Sequence, residues 1–247
     1  MTGTITAIRI GPRRVVLVLA TIATLLLMGH LALLLIATTT GHDHIFGLVP
    51  LFDLNHENNV PNFFSGSLFL LNAVLVWLVS QLPTLTHRSK VWVSLAAVFV
   101  FLSYDELFGV HEQLTRPMRE ALHTTGFLYY PWIIAYVAPL LAVIAWFFPT
   151  WRTLEAVART RLLVAAALYL LGVIVMEMIG GAYDEAFGRR TLGWGLLVAV
   201  EESLEMAGLI VLADTLFMML RPSAGGAPIV FDDLTSPAAG VRRKVDL

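Results

Sequence analysis

The chain alternates between long, mainly apolar runs and short polar connectors. Six runs are long enough to cross a bilayer, which takes about 20 residues as a helix. They lie near Val15–Ala37, Phe63–Leu82, Val91–Glu112, Tyr129–Phe148, Leu162–Gly181 and Gly195–Leu220. Pro83, Pro149 and Pro222 follow three of them as stops. Tyr129, Tyr130, Trp132, Trp151 and Trp194 stand near run ends, where an interfacial aromatic belt belongs. The pattern predicts an all-α polytopic membrane protein: one six-helix transmembrane domain over residues 1–221. Residues 222–247, rich in Pro, Gly, Ala and charge, bury little and are expected to form a disordered cytoplasmic tail.

Composition agrees. Hydrophobic residues make up 57% and charged residues 14%, with a mean hydropathy of +0.77. Soluble domains average roughly 25% charged residues, so most of this chain cannot face water. The apolar run after Arg9, Arg13 and Arg14 exceeds the roughly 7–15 residues of a signal h-region and is expected to be a retained first helix. There is no cysteine, which excludes disulfides, thiolate metal sites and a cysteine nucleophile. No basic stripe with interleaved aromatics points to nucleic acid.

Charge orients the bundle. With the N-terminus inside, the inner segments hold Arg9, Arg13, Arg14, Arg88, Lys90, Arg152, Arg159, Arg161, Arg221, Arg242, Arg243 and Lys244. The outer segments hold only Arg116, Arg119, Arg189 and Arg190. By the positive-inside rule both termini are cytoplasmic, and in a bacterium the host membrane is the inner (cell) membrane.

The acids sort the other way, and several lie deep. The third run carries Asp105, Glu106, His111 and Glu112, with Asp105 roughly 10 Å below its outer end. Glu177 sits roughly 6 Å below the outer end of the fifth run, and Glu201, Glu202 and Glu205 roughly 9–15 Å into the sixth. A charge at a helix centre costs about 2.5–3.5 kcal/mol on the lenient insertion scale, so such groups pair, bind a cation or face a watery cavity. Spacing brings Glu201 and Glu205 (i,i+4) together, and Glu202 and Glu205 (i,i+3). Asp105 and Glu112, seven apart, are expected to share a face, and no basic residue is expected at that depth. A divalent ion (zinc, iron or calcium) relieves several carboxylates at once. The expected ligands are therefore Asp105, Glu106, His111, Glu112, Glu177, Glu201, Glu202 and Glu205. The competing expectation is that these acids sit in water at helix ends.

A second cation loop is suggested by Asp53, Asn55, Glu57 and Asn59, whose alternating oxygens resemble the first half of a calcium loop. The glycine and closing glutamate of an EF-hand are missing. The alternatives are a cap on the second helix that folds over the acids, or a solvated turn. His30 is expected to be packed or water-contacting. Asp214, deep in the sixth run, has no evident partner. None of the deep acids begins a Glu-x-x-His motif, of which di-iron carboxylate bundles need two.

These features point first to a metal-dependent membrane enzyme, hydrolytic or redox, acting on a membrane lipid or lipophilic small molecule. A cation- or proton-coupled transporter or channel is the second reading, and a non-catalytic membrane subunit or assembly factor the third.

Overall fold

In a computed structural model of the chain, residues 11–41, 47–54, 56 and 58–221 are described. Asn55, Glu57 and the 222–247 tail lie outside the described residues. Within them every regular element is helical, as a bilayer demands of a chain whose backbone polar groups must be satisfied internally.

Helix α1 (Pro12–Thr40) opens with proline in its first turn and stops at Gly41, whose φ of 70° breaks the helix. Its last three threonines return their hydroxyls to carbonyls one turn back, which carries the helix past the apolar run. A short α2 (Leu48–Phe52) leads to α3 (Val60–Ser80), capped by Asn59. A 3-10 turn at Pro83–Arg88 joins α3 to α4 (Ser89–Phe108). Then come α5 (Val110–Leu122), α6 (Trp132–Trp151) and a continuous rod, Ala156–Phe187. That rod consists of α7 (Ala156–Leu170), one π-helical turn (Leu171–Met176) and α8 (Glu177–Phe187). Helix α9 (Leu192–Met219) is last, capped by the Thr191 hydroxyl. Among the described residues, α1, α3, α4, α6 and the rod are long and apolar enough to cross a membrane. The chain is a multi-pass membrane protein.

The third run does not form one helix to Glu112. Gly109 takes φ 55°, a left-handed conformation that ends α4 at Phe108 and starts α5 on a new axis. Asp105 and Glu112 therefore do not share a helix face. Helix α5 is strongly amphipathic, with Val110, Leu114 and Met118 at i,i+4 spacing and Glu112, Arg116 and Glu120 exposed.

Helix α9 is the hub, packed against α1, α3 and α7. Close approach is made by small residues. A Cβ on Gly208 would come within 2.7 Å of the Tyr169 backbone nitrogen and 2.9 Å of the Ala165 carbonyl. Polar ties lock the same contacts: Asn72 donates to the Leu209 carbonyl at 3.1 Å, and Ser103 to the Gly66 carbonyl at 2.8 Å. Buried His30 bridges α1 to α9 through its Nε2 and the Gly195 carbonyl (3.1 Å), while Nδ1 accepts from the Leu54 N–H (3.2 Å). That donor and that acceptor together select the neutral Nε2–H tautomer, so the nearby Asp53 carboxylate, 3.3 Å from Nδ1, is a neighbour rather than its hydrogen-bond partner.

Asp214 is not an orphan. Arg161 on α7 meets it at 3.0 Å. The two lie on neighbouring helices, a juxtaposition that sequence spacing within one helix cannot reveal. Helix α6 stands apart, touching α4 and α5 and leaving space toward α7 and α9.

Candidate functional site

The space beside α6 is a cavity of about 1330 Å³, above the roughly 300–1,000 Å³ usual for small-molecule sites. Its walls come from α4, α5, α6, the rod and α9. On α9 the lining residues are Trp194, Val198, Glu201, Glu202, Glu205, Gly208, Leu209, Leu212 and Leu216, a single stripe at helical periodicity. The acids thus occupy the middle of one helix face, with tryptophan at one end and leucines at the other.

All eight residues expected from the sequence line this cavity: Asp105, Glu106, His111, Glu112, Glu177, Glu201, Glu202 and Glu205. Each arrives by its own local device. Asp105 sits in the last turn of α4, and the Gly109 break turns the chain back so that the first turn of α5 lies over it. Asp105 Oδ1 accepts from the His111 backbone N–H (3.0 Å) and the Tyr136 hydroxyl (2.8 Å). Its Oδ2 meets His111 Nδ1 at 3.0 Å. Burial opposes a charge on His111. The Asp105 hydrogen bond and the charges of Asp105, Glu106 and Glu112 outweigh it, pushing the imidazole up to about 9. His111 also packs on Trp132, ring centres 4.8 Å apart.

Glu177 is the first residue after the π turn and accepts from Trp132 Nε1 at 2.8 Å. It faces Glu201 across the rod–α9 interface, close enough for the two side chains to interact. Glu205 lies one turn further along α9, within electrostatic reach of Glu202, Glu106 and Glu177. It rests where the π turn presents Gly172: a Cβ there would come within 2.6 Å of Glu205 Cγ and 2.9 Å of the Glu201 carbonyl. Among the described residues no three His, Asp or Glu side chains close into a metal cage. Asp105–His111 and Glu177–Glu201 stand as contacting pairs.

Two basic residues do reach this cavity, Arg116 and Arg189. Arg189, assigned from sequence to an outer loop, lines it while donating to Asp184 at 2.8 Å and to the Tyr130 hydroxyl at 3.0 Å. Tyr130 in turn donates to Asp184. Burial and that hydrogen bond raise the phenol above its ordinary value. Tyr130, Trp132 and Tyr136 are site residues that sequence reasoning took only as interfacial aromatics or passed over. The signal was their grouping at the start of α6, opposite the acid-bearing helix ends.

Of the Asp53–Asn59 segment, the described Asp53, His56 and Asn59 do not line this cavity, although Leu54 does. Asn59 caps α3, accepting from the Asn62 N–H at 3.1 Å and donating to the Asp53 and Pro50 carbonyls at 2.6 and 3.3 Å. Asp53 and His56 line a second cavity of about 760 Å³ with His30, Arg189, Arg190 and Trp194.

Residues 15–220 match the family described as a domain of unknown function (DUF8692). The chain belongs to this family. No curated protein and no solved structure matches it. The match runs from the first turn of α1 to the last residue before Arg221, so every residue of the cavity lies inside the family domain.

Proposed function

We propose that the protein is a membrane-embedded, metal-dependent enzyme whose acid-lined cavity takes a lipophilic substrate from the bilayer. The observation that carries this reading is that eight acidic and histidine side chains, drawn from four helices, line one largely apolar cavity. An apolar site with a few convergent polar groups is the usual form of a small-molecule site, and carboxylates retained at membrane depth are functional by default. We assign the divalent cation to Glu177 and Glu201, which face each other across the rod–α9 interface, with Glu205 drawn in as the ion binds, and acid–base work to Asp105–His111, whose imidazole keeps its proton at neutral pH.

The same reading makes α9 a sixth span. Its 28 residues rise about 42 Å, enough to cross, and its glutamates face the cavity rather than lipid. Both termini are placed in the cytoplasm, with α5 and the acids on the extracytoplasmic side.

Elemental analysis of the purified protein tests the proposal. Stoichiometric divalent metal, lost in the Glu201→Gln, Glu205→Gln double variant, is expected; its absence from active, well-folded protein overturns it. A transport path is disfavoured by the far half of the cavity. Asp214 is absent from the lining and held by Arg161, and the stripe beyond Glu205 holds only Gly208 and leucines. Cation flux in proteoliposomes abolished by Glu205→Gln would replace the enzyme reading.

A further inference from the structure

We infer that the apolar half of the cavity is a pouch for a single lipid chain, entered sideways from the bilayer between α6 and α7. The inference rests on the cavity being the substrate site. It adds the class of substrate, a long-chain amphiphile, and its route of entry.

Three observations carry it. The first is length. From Glu205 to Leu216 the cavity stripe of α9 covers twelve residues, a rise of about 17 Å. That is about half the 30 Å hydrocarbon core, the reach of one leaflet's chain with its polar end held at the glutamates.

The second is closure. At the end away from α5, Trp92 on α4 stands edge-on to Phe147 on α6, ring centres 5.1 Å apart, and both pack with Leu216 of α9. Trp92 and Leu216 are fully buried. A partner's transmembrane helix needs a groove open at both ends, and this one narrows at an aromatic contact, its α6 lining ending at Phe148 and Trp151 by the α6–α7 turn. A chain that ends within the membrane fits it.

The third is access. Helices α6 and α7 meet at the Arg152–Glu155 turn but do not pack along their lengths. Ile144 on α6, with Leu163, Ala166 and Ala167 on α7, both line the cavity and are exposed. The small side chains at 166 and 167 leave the gap on the α7 side. Opening it to lipid exposes helical backbone on both sides, interrupted on α6 only at Pro139 and Pro149.

Photolabelling decides the matter. The protein would be placed in nanodiscs of a phospholipid carrying a diazirine near the end of its acyl chain, irradiated and mapped by mass spectrometry. Labels are expected on Leu140, Ala166 or Leu212, falling severalfold in Ala166→Trp and, separately, in Leu212→Phe. Labelling of the exposed α1 residue Leu25 should not change. Two variants on different helices, each checked for monodisperse elution, guard against a misfolded result. Labels confined to α1-type surface positions, or cavity labels indifferent to both variants, would overturn the pouch. The Glu201→Gln, Glu205→Gln protein separates this from the proposed function. Chain labelling should persist there even though the cation site is removed, and a metal-free wild type that still labels would sink the enzyme reading alone.

Discussion

At the scale of single residues, Asp105 is the pivot of the α5 end of the cavity, because one buried carboxylate receives a backbone N–H, a phenol and an imidazole. His111 carries the consequence. Its value is raised from the ordinary 6.5 to about 9, so its contribution to stability is fully present below about pH 6.5 and is lost as pH rises through about 9. The shift corresponds to on the order of 3 kcal/mol. Thermal unfolding in detergent should therefore fall in temperature between those pH values. Asp105→Asn should flatten that dependence while lowering stability at pH 6. An unchanged slope in the variant would show that Asp105 does not hold the proton on His111. The acids themselves were legible in the sequence because carboxylates within an apolar run are costly and few. Their partners were not. Tyr136 and Trp132 lie far along the chain from Asp105 and Glu177, and Arg161 far from Asp214, so no spacing rule joins them.

At the scale of elements, two departures from regular helix build the site. Gly109 uses its left-handed backbone to fold α5 across Asp105. Gly109→Ala should cost about 1–2 kcal/mol and loosen His111, read as a lower unfolding temperature and an imidazole value nearer 6.5 by NMR titration. The π turn at Leu171–Met176 presents Gly172 to Glu205. Gly172→Ala forces a Cβ against the Glu201 carbonyl, which is backbone and cannot swing aside. A loss of about 1–3 kcal/mol is expected, and metal content should drop with it; unchanged stability would show that α9 can retreat freely. Neither device was readable beforehand. A glycine inside an apolar run is tolerated in helices as well as at breaks, so hydropathy continued the third segment to Glu112. A π turn leaves no compositional mark at all. The apolar runs, by contrast, located every long helix, because length and hydropathy are set by the bilayer rather than by neighbours.

At the scale of the whole molecule, the charge bias along the chain implies sidedness. The cysteine-free sequence allows it to be measured directly. A single cysteine at Ser89 should react with a membrane-impermeant maleimide only from the cytoplasmic side, and one at Thr125 only from outside; the reverse pattern would invert the topology. The Arg161–Asp214 pair ties the rod to α9 at the end away from α5. Arg161→Ala should destabilise the bundle by stranding the carboxylate, and the double variant Arg161→Met, Asp214→Asn should recover much of that loss. The rod also has a consequence for how the bundle is indexed. A π turn holds one residue more than the α-helical turn it replaces, so the two stretches it joins are out of phase by about 100°. Before it, Ala165 and Tyr169 are keyed to Gly208 of α9; after it, Gly181 is keyed to Tyr129 and Tyr130. Removing one residue, Val173 for instance, would bring the rod into a single phase. Either half could then keep its mates, but not both, and Glu177 would rotate away from Glu201 without any change to its own side chain.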